Sequence, residues 1–533
     1  MKKIINIAVL ISTTIIISGG CTKNVSKLPQ NAATVGTFFK SSKDITSALS
    51  GMYGTFLQSM IGTGGTSGGG SANYFLWGEV RSDNFVQTGY SQTQSVSENV
   101  SNSIASDNVS SDWGILYQTI ARANLNIANI PKVAQYDNSV TPTITNNALA
   151  QCYAMRAECY FYIVRNWGGG PIWTQAYLDP TQPGASKARA SAQTVIDSLI
   201  IPDLTKAYSL IQKGQQPTVW YINEGAICAI MADVYMWRAS APVPPSPGAP
   251  VGGPIGGTAD YQNAITWIKN LFAARAPSNG APLYAGISAA NLESTATWKN
   301  VFLNPASSVE GIWSLNWDET LNGCACIPIS IQTSNNPYRV DGGNATNPVN
   351  GGIYTTWPKN TADIRVKQTF DPTVSGAAAG ESTLKYYNAA TQAALTGTTG
   401  GAISYNVYLV MYRLSDVYLS YAEALNQTGN LAGALTYLNY IHTRAGLPAV
   451  LPTAVSTTAT MQAAILQERQ WELFGEGKRW FDLVRTNTAA SVMSPILVGR
   501  KYPPFTDINR VLWPLSITAL NANSSLVQNN NLF

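Results

Sequence analysis

Charge is scarce in this chain. Lys, Arg, Asp and Glu make up 12% of its 533 residues, about half the ordinary share, and most of its polarity comes from Ser, Thr, Asn, Gln and Gly. Such a surface suits neutral polar ligands better than polyanions. The formal net charge is +4, half of it carried by Lys2 and Lys3, and no Lys/Arg cluster follows. Nucleic acid binding therefore has no electrostatic footprint. Histidine is rarer still: His442 is the only one. A zinc enzyme would lack ligands, and a Ser-His-Asp triad would have to use a residue whose neighbours Tyr440, Ile441 and Arg444 read as packing and ion-pair positions. Cysteines are few. Cys152 and Cys159, seven apart on an expected helix, lie too far from each other to pair, and Cys324-x-Cys326 has no nearby His or Cys partners. No disulfide framework, metal site or cofactor is expected. The Gly-rich stretch 62–70 lacks the Gly-Lys-Ser/Thr ending of a phosphate cradle and reads as a loop.

Long apolar runs are also missing. The one apolar stretch near the start, residues 4–17 after Lys2 and Lys3, is too short to span a bilayer and has the parts of an export signal. Ser18-Gly19-Gly20 directly before Cys21 resembles the lipobox of bacterial lipoproteins. That resemblance implies cleavage before Cys21 and lipidation of its thiol, which holds a protein to a membrane without a spanning helix. Residues 22–27 lack the acidic residues of a common export signal for the cell surface.

What is present is mostly helical patterning. Asp44 reads as the cap of a helix whose apolar face is made by Ile45, Leu49, Met52, Tyr53 and Phe56. Asp112, Trp113, Tyr117, Ile120, Ala123, Asn124 and Ile127 restart a helix. Residues 148–167 form a strong one, closed by Gly168-Gly169-Gly170-Pro171. Residues 192–212 follow, with Pro202 a potential break. Residues 223–239 carry Ala226, Ala229 and Ala232, which permit close helix approach, and pair with 261–272 across the Pro/Gly-rich loop 241–257. In 405–444, Tyr418, Ala422, Gly429, Ala434 and Leu438 fall at offsets resembling a tetratricopeptide repeat. The expected fold is mainly α, with about four tetratricopeptide-like pairs as a scaffold: roughly 41–130, 148–212, 223–272 and 405–488. Residues 280–400 have almost no helical periodicity. They set Trp298, Trp313, Trp317, Tyr338, Tyr354 and Trp357 among Gly, Pro, Asn and Thr, which reads as a loop-rich irregular lobe containing short strands.

The most constrained stretch is 461–485. Met461, Ile465, Leu466 and Leu473 recur at helical spacing, Gly475-Glu476-Gly477 supplies the positive φ that stops the first helix, and residues 478–485 resume it. Carboxylates and guanidinium groups alternate here beside Trp471, Phe474, Trp480 and Phe481, predicting a partly buried ion-pair lattice. The order Glu468, Arg469, Glu472, Leu473, Glu476, Gly477, Arg479, Asp482, Leu483, Arg485 resembles the C-terminal hallmark of the SusD/RagB family of outer-membrane lipoproteins. Four other stretches resemble it too: the Trp113 to Asn124 pattern; Arg156-Ala157, Tyr160-Phe161 and Val164 ahead of the glycines and proline; Asp363-x-Arg365; and the tail from Leu512-Trp513-Pro514 to Gln528-Asn529.

The resemblance implies a layout of signal peptide (1–20), lipidated tether (21–39) and a SusD-like domain (40–533). In that domain the helical scaffold covers about 40–275 and 405–488, the ligand-binding lobe about 280–400, and the tail 489–533. It further implies capture of an oligosaccharide or peptide, without catalysis, by the lid of a SusC-like TonB-dependent transporter at the outer membrane, facing the cell exterior. Loop aromatics and amides suit sugars, whose C–H faces lie on rings while Asn, Asp, Gln and Arg bond hydroxyls. The positional candidates are Asn84, Phe85 and Tyr90 in the N-terminal part, and Trp317, Tyr338, Tyr354 and Trp357 in the lobe. Trp77, Trp113, Trp298 and Trp313 read as core. Two other classes stay open: a surface glycoside hydrolase using a carboxylate pair such as Glu468 and Glu472, and a tetratricopeptide-type adaptor for a protein partner.

Overall fold

The computed structural model describes residues 35–62, 72–88, 93–176, 184, 186–215, 218–284, 288–317, 337–341, 352–357, 362–370, 383–388 and 407–530. Cys21, Tyr90, Cys324, Cys326 and most of the Gly-rich stretch lie outside them.

Helices dominate, and their ends follow local chemistry. Helix α1 (Ser42–Ile61) is capped by Ser41, with Asp44 reaching back to the Ser41 N–H in a capping box. Asp44 is therefore the third helical residue and not the cap itself. Helix α2 (Gln94–Ser101) is short. Helix α3 (Gly114–Asn129) is followed by α4 (Pro142–Trp167), which starts with a Thr141 cap and a proline in its first turn and stops at Gly168, φ 74°. The helical stretch starting at Ala192 does not break at Pro202. It widens into a π turn at Ile196–Ile200 and continues as α5 (Ile201–Leu210). The wide turn accommodates a proline that has no N–H and would crowd a regular helix.

Helix α6 (Glu224–Ser240) is capped by Asn223 and packs closely on α7 (Thr258–Ala273), with Ala226, Ala229 and Ala232 buried. Then come α8 (Leu414–Gln427), α9 (Leu431–Arg444), α10 (Thr458–Glu472), α11 (Arg479–Arg485), α12 (Ala489–Gly499) and α13 (Ile517–Ala522). Neighbours pack in a continuous series, α1 on α3, α3 on α4, α4 on α5, α5 on α6, α6 on α7, α7 on α8, α8 on α9 and both on α10. This is the tetratricopeptide-like scaffold that small residues and helical spacing predict. Among the described cysteines, Cys152, Cys159 and Cys228 are free and buried. No described helix is long and apolar enough to cross a membrane.

Four short strands form two antiparallel pairs: β1 (Phe85–Gln87) with β3 (Tyr338–Val340), and β2 (Gly311–Trp317) with β4 (Val407–Arg413). The Leu512-Pro514 segment joins neither pair. Pro514 cannot donate, and side-chain amides replace the ladder: Gln528 accepts from Leu515 N (2.7 Å) and donates to Leu515 O (3.0 Å), while Asn529 donates to Trp513 O (2.7 Å) and Trp167 O (3.1 Å).

Candidate functional site

The predicted candidates come from two segments far apart in sequence, and the β1–β3 pair joins them. Phe85 stands opposite Val340 and Gln87 opposite Tyr338. The pairing extends at both ends through Thr88 N to Pro337 O (3.0 Å) and Asp341 N to Asn84 O (2.9 Å). Phe85 packs on Phe474 (centroids 5.2 Å apart), which also meets Trp357 (6.2 Å) and Phe370 (5.0 Å), and Tyr354 packs on Phe370 (5.2 Å). Asn84, Phe85, Tyr338, Tyr354 and Trp357 therefore belong to one cluster. Trp317 does not. It ends β2 opposite Val407.

Burial corrects the expectation that these side chains face a ligand. Asn84, Phe85, Trp317, Tyr338 and Trp357 are all buried, Tyr354 is partly exposed, and Tyr90 lies outside the described residues. Polar neighbours argue for exposure only when their partners are solvent, and here the partners are buried too. Trp357 Nε1 donates to Asp363 Oδ2 (2.8 Å), Tyr338 Oη accepts from Asn99 (2.9 Å), and Asn84 donates to Glu79 (2.6 Å) and accepts from Gln470 (2.8 Å). These side chains form the wall behind the strand pair, leaving Tyr354 as the described candidate with access to solvent. Trp77, Trp113, Trp298 and Trp313 are buried, as predicted for core.

Behind that wall lies the lattice that the hallmark predicts. Glu472 accepts from Arg413 (2.7 Å), Arg444 (2.6 Å) and Arg365 (2.8 Å), all within the protein interior. Arg365 also holds Asp363 (2.7 Å) and Glu468 (2.7 Å), and Arg413 holds Glu310 (3.0 Å) and Glu476 (2.8 Å). Lys385 pairs with Glu476 and donates to the carbonyls of Glu472 (3.0 Å) and Phe474 (2.9 Å). His442 completes the set through Nδ1 to Glu468 Oε2, 2.7 Å. A second chain links Asp416, Arg469, Asp482 and Arg485 at 2.7–2.9 Å, and Arg485 ends on Glu423. Arg479 turns away from Asp482 to pair with Asp83, 2.8 Å.

The electrostatics oppose acid–base work by the Glu468–Glu472 pair. Burial alone would raise the Glu472 carboxyl, but Arg444, Arg413 and Arg365 hold it well below the usual carboxylate range, whereas a general acid needs the opposite shift. Glu79 behaves differently. Burial pushes it up to about 7 against hydrogen bonds from Asn84 and the Gly475 backbone. Gly475 and Gly477 take φ of 72° and 68°, and a Cβ on Gly78 would sit 1.9 Å from Gly477 O. That close approach, with Glu79, Asp83 and Asn84 bonded to the hallmark, fixes where β1 starts. Arg365, Arg413, Arg444, Lys385 and Glu310 carry half of the lattice, and apart from the Asp363-x-Arg365 pair and Arg444, read as an ion-pair position beside His442, nothing local in the sequence marks them. Among the described residues no group of His, Cys, Asp and Glu is arranged to hold a metal.

Comparison with known proteins agrees with this architecture. A model described as the SusD family matches residues 371–531, and one described as starch-binding associating with outer membrane matches 45–236. The chain belongs to the SusD/RagB family. Within it, SusD-like protein P38 of Formosa agariphila is 27% identical over 569 residues, covering 99% of each chain. A SusD superfamily protein of Bacteroides vulgatus superposes with a TM-score of 0.69 at 16% identity, over 93% of this chain and 100% of that one. A structure described as a laminarin-binding SusD-like protein gives 0.63 at 18% identity, over 92% and 99%. SusD/RagB membership accounts for the helical scaffold and for the hallmark at the centre of the lattice.

Proposed function

We propose that the chain captures a neutral oligosaccharide, without chemistry, as the lid of a SusC-like TonB-dependent transporter. It is held to the outer membrane by lipidation of Cys21 and faces the cell exterior. The observation that carries this reading is the β1–β3 junction: it brings two sequence-distant, amide- and aromatic-rich segments of a SusD/RagB chain side by side, on a base locked by buried ion pairs. Rigid support beneath adaptable loops is how binding residues are commonly presented. Tyr354 and Tyr90 are the contacts proposed here, with Asn84, Phe85, Tyr338 and Trp357 holding the platform and Trp317 supporting the neighbouring strand pair. One structural neighbour is described as laminarin-binding, which supports a β-glucan as a first ligand to test. Ligand contacts made only in the closed state would shift the lid toward closure.

The test is calorimetric titration of the purified chain with plant, host and microbial oligosaccharides and with peptides, analysing products in the same samples, followed by co-purification with the transporter. Saturable glycan binding without turnover, weakened by Tyr354→Ala or Tyr90→Ala, is expected. Peptide binding alone, or hydrolysis, would replace this reading.

A further inference from the structure

A cleft of about 690 Å³ opens elsewhere on the molecule, lined by residues of α3, the segment after α4 and α13. None of the ligand candidates read from the sequence lines it. Its volume falls within the roughly 300–1,000 Å³ of ordinary small-molecule sites. Trp113, Tyr117 and Trp173 supply its aromatic wall, and Gln118, Gln175 and Asn523 are among its polar lining. Among the described residues Asp112 is the one charged residue lining it.

The wall is built to hold Trp173 in place on a stretch without regular structure. Tyr160 Oη accepts from Trp173 N (2.7 Å), and Asn124 Nδ2 donates to the carbonyls of Trp173 (3.0 Å) and Gln175 (3.1 Å). Arg156, itself paired with Asp203, fixes Asn124 through its Oδ1 (2.6 Å). Tyr117 packs edge-on against the Trp173 ring at 4.9 Å and 71°, and its hydroxyl donates to Pro171 O (3.1 Å). Gly170 makes room for that hydroxyl, because a Cβ there would lie 2.4 Å from it. Yet Trp173 is only partly buried, and Gln118 and Gln175 are exposed. A tryptophan whose backbone is fixed by this many bonds, whose ring is braced edge-on by Tyr117 with its Nε1 buried, and which still stays partly exposed among amides, has more order than packing requires.

We infer that this cleft is a second binding site, for a short segment of a neutral oligosaccharide, with the Trp173 and Tyr117 rings against sugar C–H faces and the Gln118, Gln175 and Asn523 amides on hydroxyls. The absence of any lining Lys or Arg among the described residues disfavours phosphorylated or carboxylated ligands. The site shares its ligand class with the proposed function but none of its residues.

The experiment titrates the full chain with maltohexaose, laminarihexaose and cellohexaose, by calorimetry and tryptophan fluorescence, alongside Trp173→Ala, Trp173→Phe, Ala522→Trp and Tyr354→Ala. Trp173→Ala is expected to weaken one binding event about tenfold, as loss of an aromatic contact does, with Trp173→Phe retaining most of it. Ala522→Trp adds bulk at an exposed position of the cleft wall. It should block the same event, and it decides the matter if Trp173→Ala fails to fold. Binding unchanged in Ala522→Trp, or no hexaose bound by the parent chain, would overturn the second site. Binding lost in Tyr354→Ala and untouched by the cleft variants would overturn it while leaving the capture reading intact.

Discussion

Two regions of this molecule dense in side-chain bonds use different chemistry. Around Glu472 the chain buries guanidinium, ammonium and carboxylate groups in mutual ion pairs. Among the described residues the Trp173 cleft has one charged lining residue, and it is ordered by amide and hydroxyl hydrogen bonds and ring contacts, with the Arg156–Asp203 pair set behind Asn124. A sequence with so few charges thus concentrates many of them in its frame and leaves the described lining of this cleft almost uncharged. Buried ion pairs are weak evidence of net stability, because desolvation offsets attraction, but removing one partner strands the other. The frame should therefore be intolerant of single changes, and the cleft tolerant.

The largest expected effect follows directly. Arg413→Met leaves Glu472, Glu476 and Glu310 short of a cation and should cost about 3–5 kcal/mol in chemical denaturation; a loss below about 1 kcal/mol would erase the contrast. Next is pH. Burial pushes Glu158 up to about 7, with Arg165 at 3.8 Å insufficient to prevent it, and Glu79 likewise. A carboxyl raised in the folded state holds its proton more tightly there than in the unfolded chain. Its contribution is complete below the unfolded value of 4.5 and disappears as pH rises through about 7. Each group should lower stability by about 3 kcal/mol between roughly pH 4.5 and pH 8. Glu158→Gln should flatten roughly half of that decline, seen as melting temperature against pH. An unchanged slope would show that Glu158 does not titrate in this range.

Gly78→Ala tests the join between frame and strand pair. Its Cβ meets the Gly477 backbone, which cannot swing aside like a side chain, so a loss of about 1–3 kcal/mol is expected. The smallest effect belongs to the cleft: hexaose affinity there should change by less than about twofold between roughly 50 and 500 mM salt, since screening acts on charges. A steep salt dependence would mean that charge reaches the ligand after all.

Much of the frame is legible in the sequence because its cues are local. Gly168 and Gly475 mark helix ends, and the spacing of Glu468, Arg469 and Glu472 puts them on neighbouring turns of α10. Beyond Arg365 and Arg444, the partners are not legible. Arg413 reaches the lattice because β4 pairs it with Gly311, beside Glu310, and a pairing of that range leaves no periodic trace. Trp357 misleads for a related reason. Its polar surroundings suggest solvent, yet Asp363 and Arg365 are fully buried with it. Trp173 carries the same signal of an aromatic among Thr and Gln in an unpatterned stretch, but it stands inside the helical half, where such residues read as helix ends.

The most direct test of capture without chemistry is the titration of the purified chain with a panel of neutral oligosaccharides, with products measured in the same tubes. Saturable binding that leaves every glycan intact is the predicted result. Release of shorter sugars by the purified chain would contradict it.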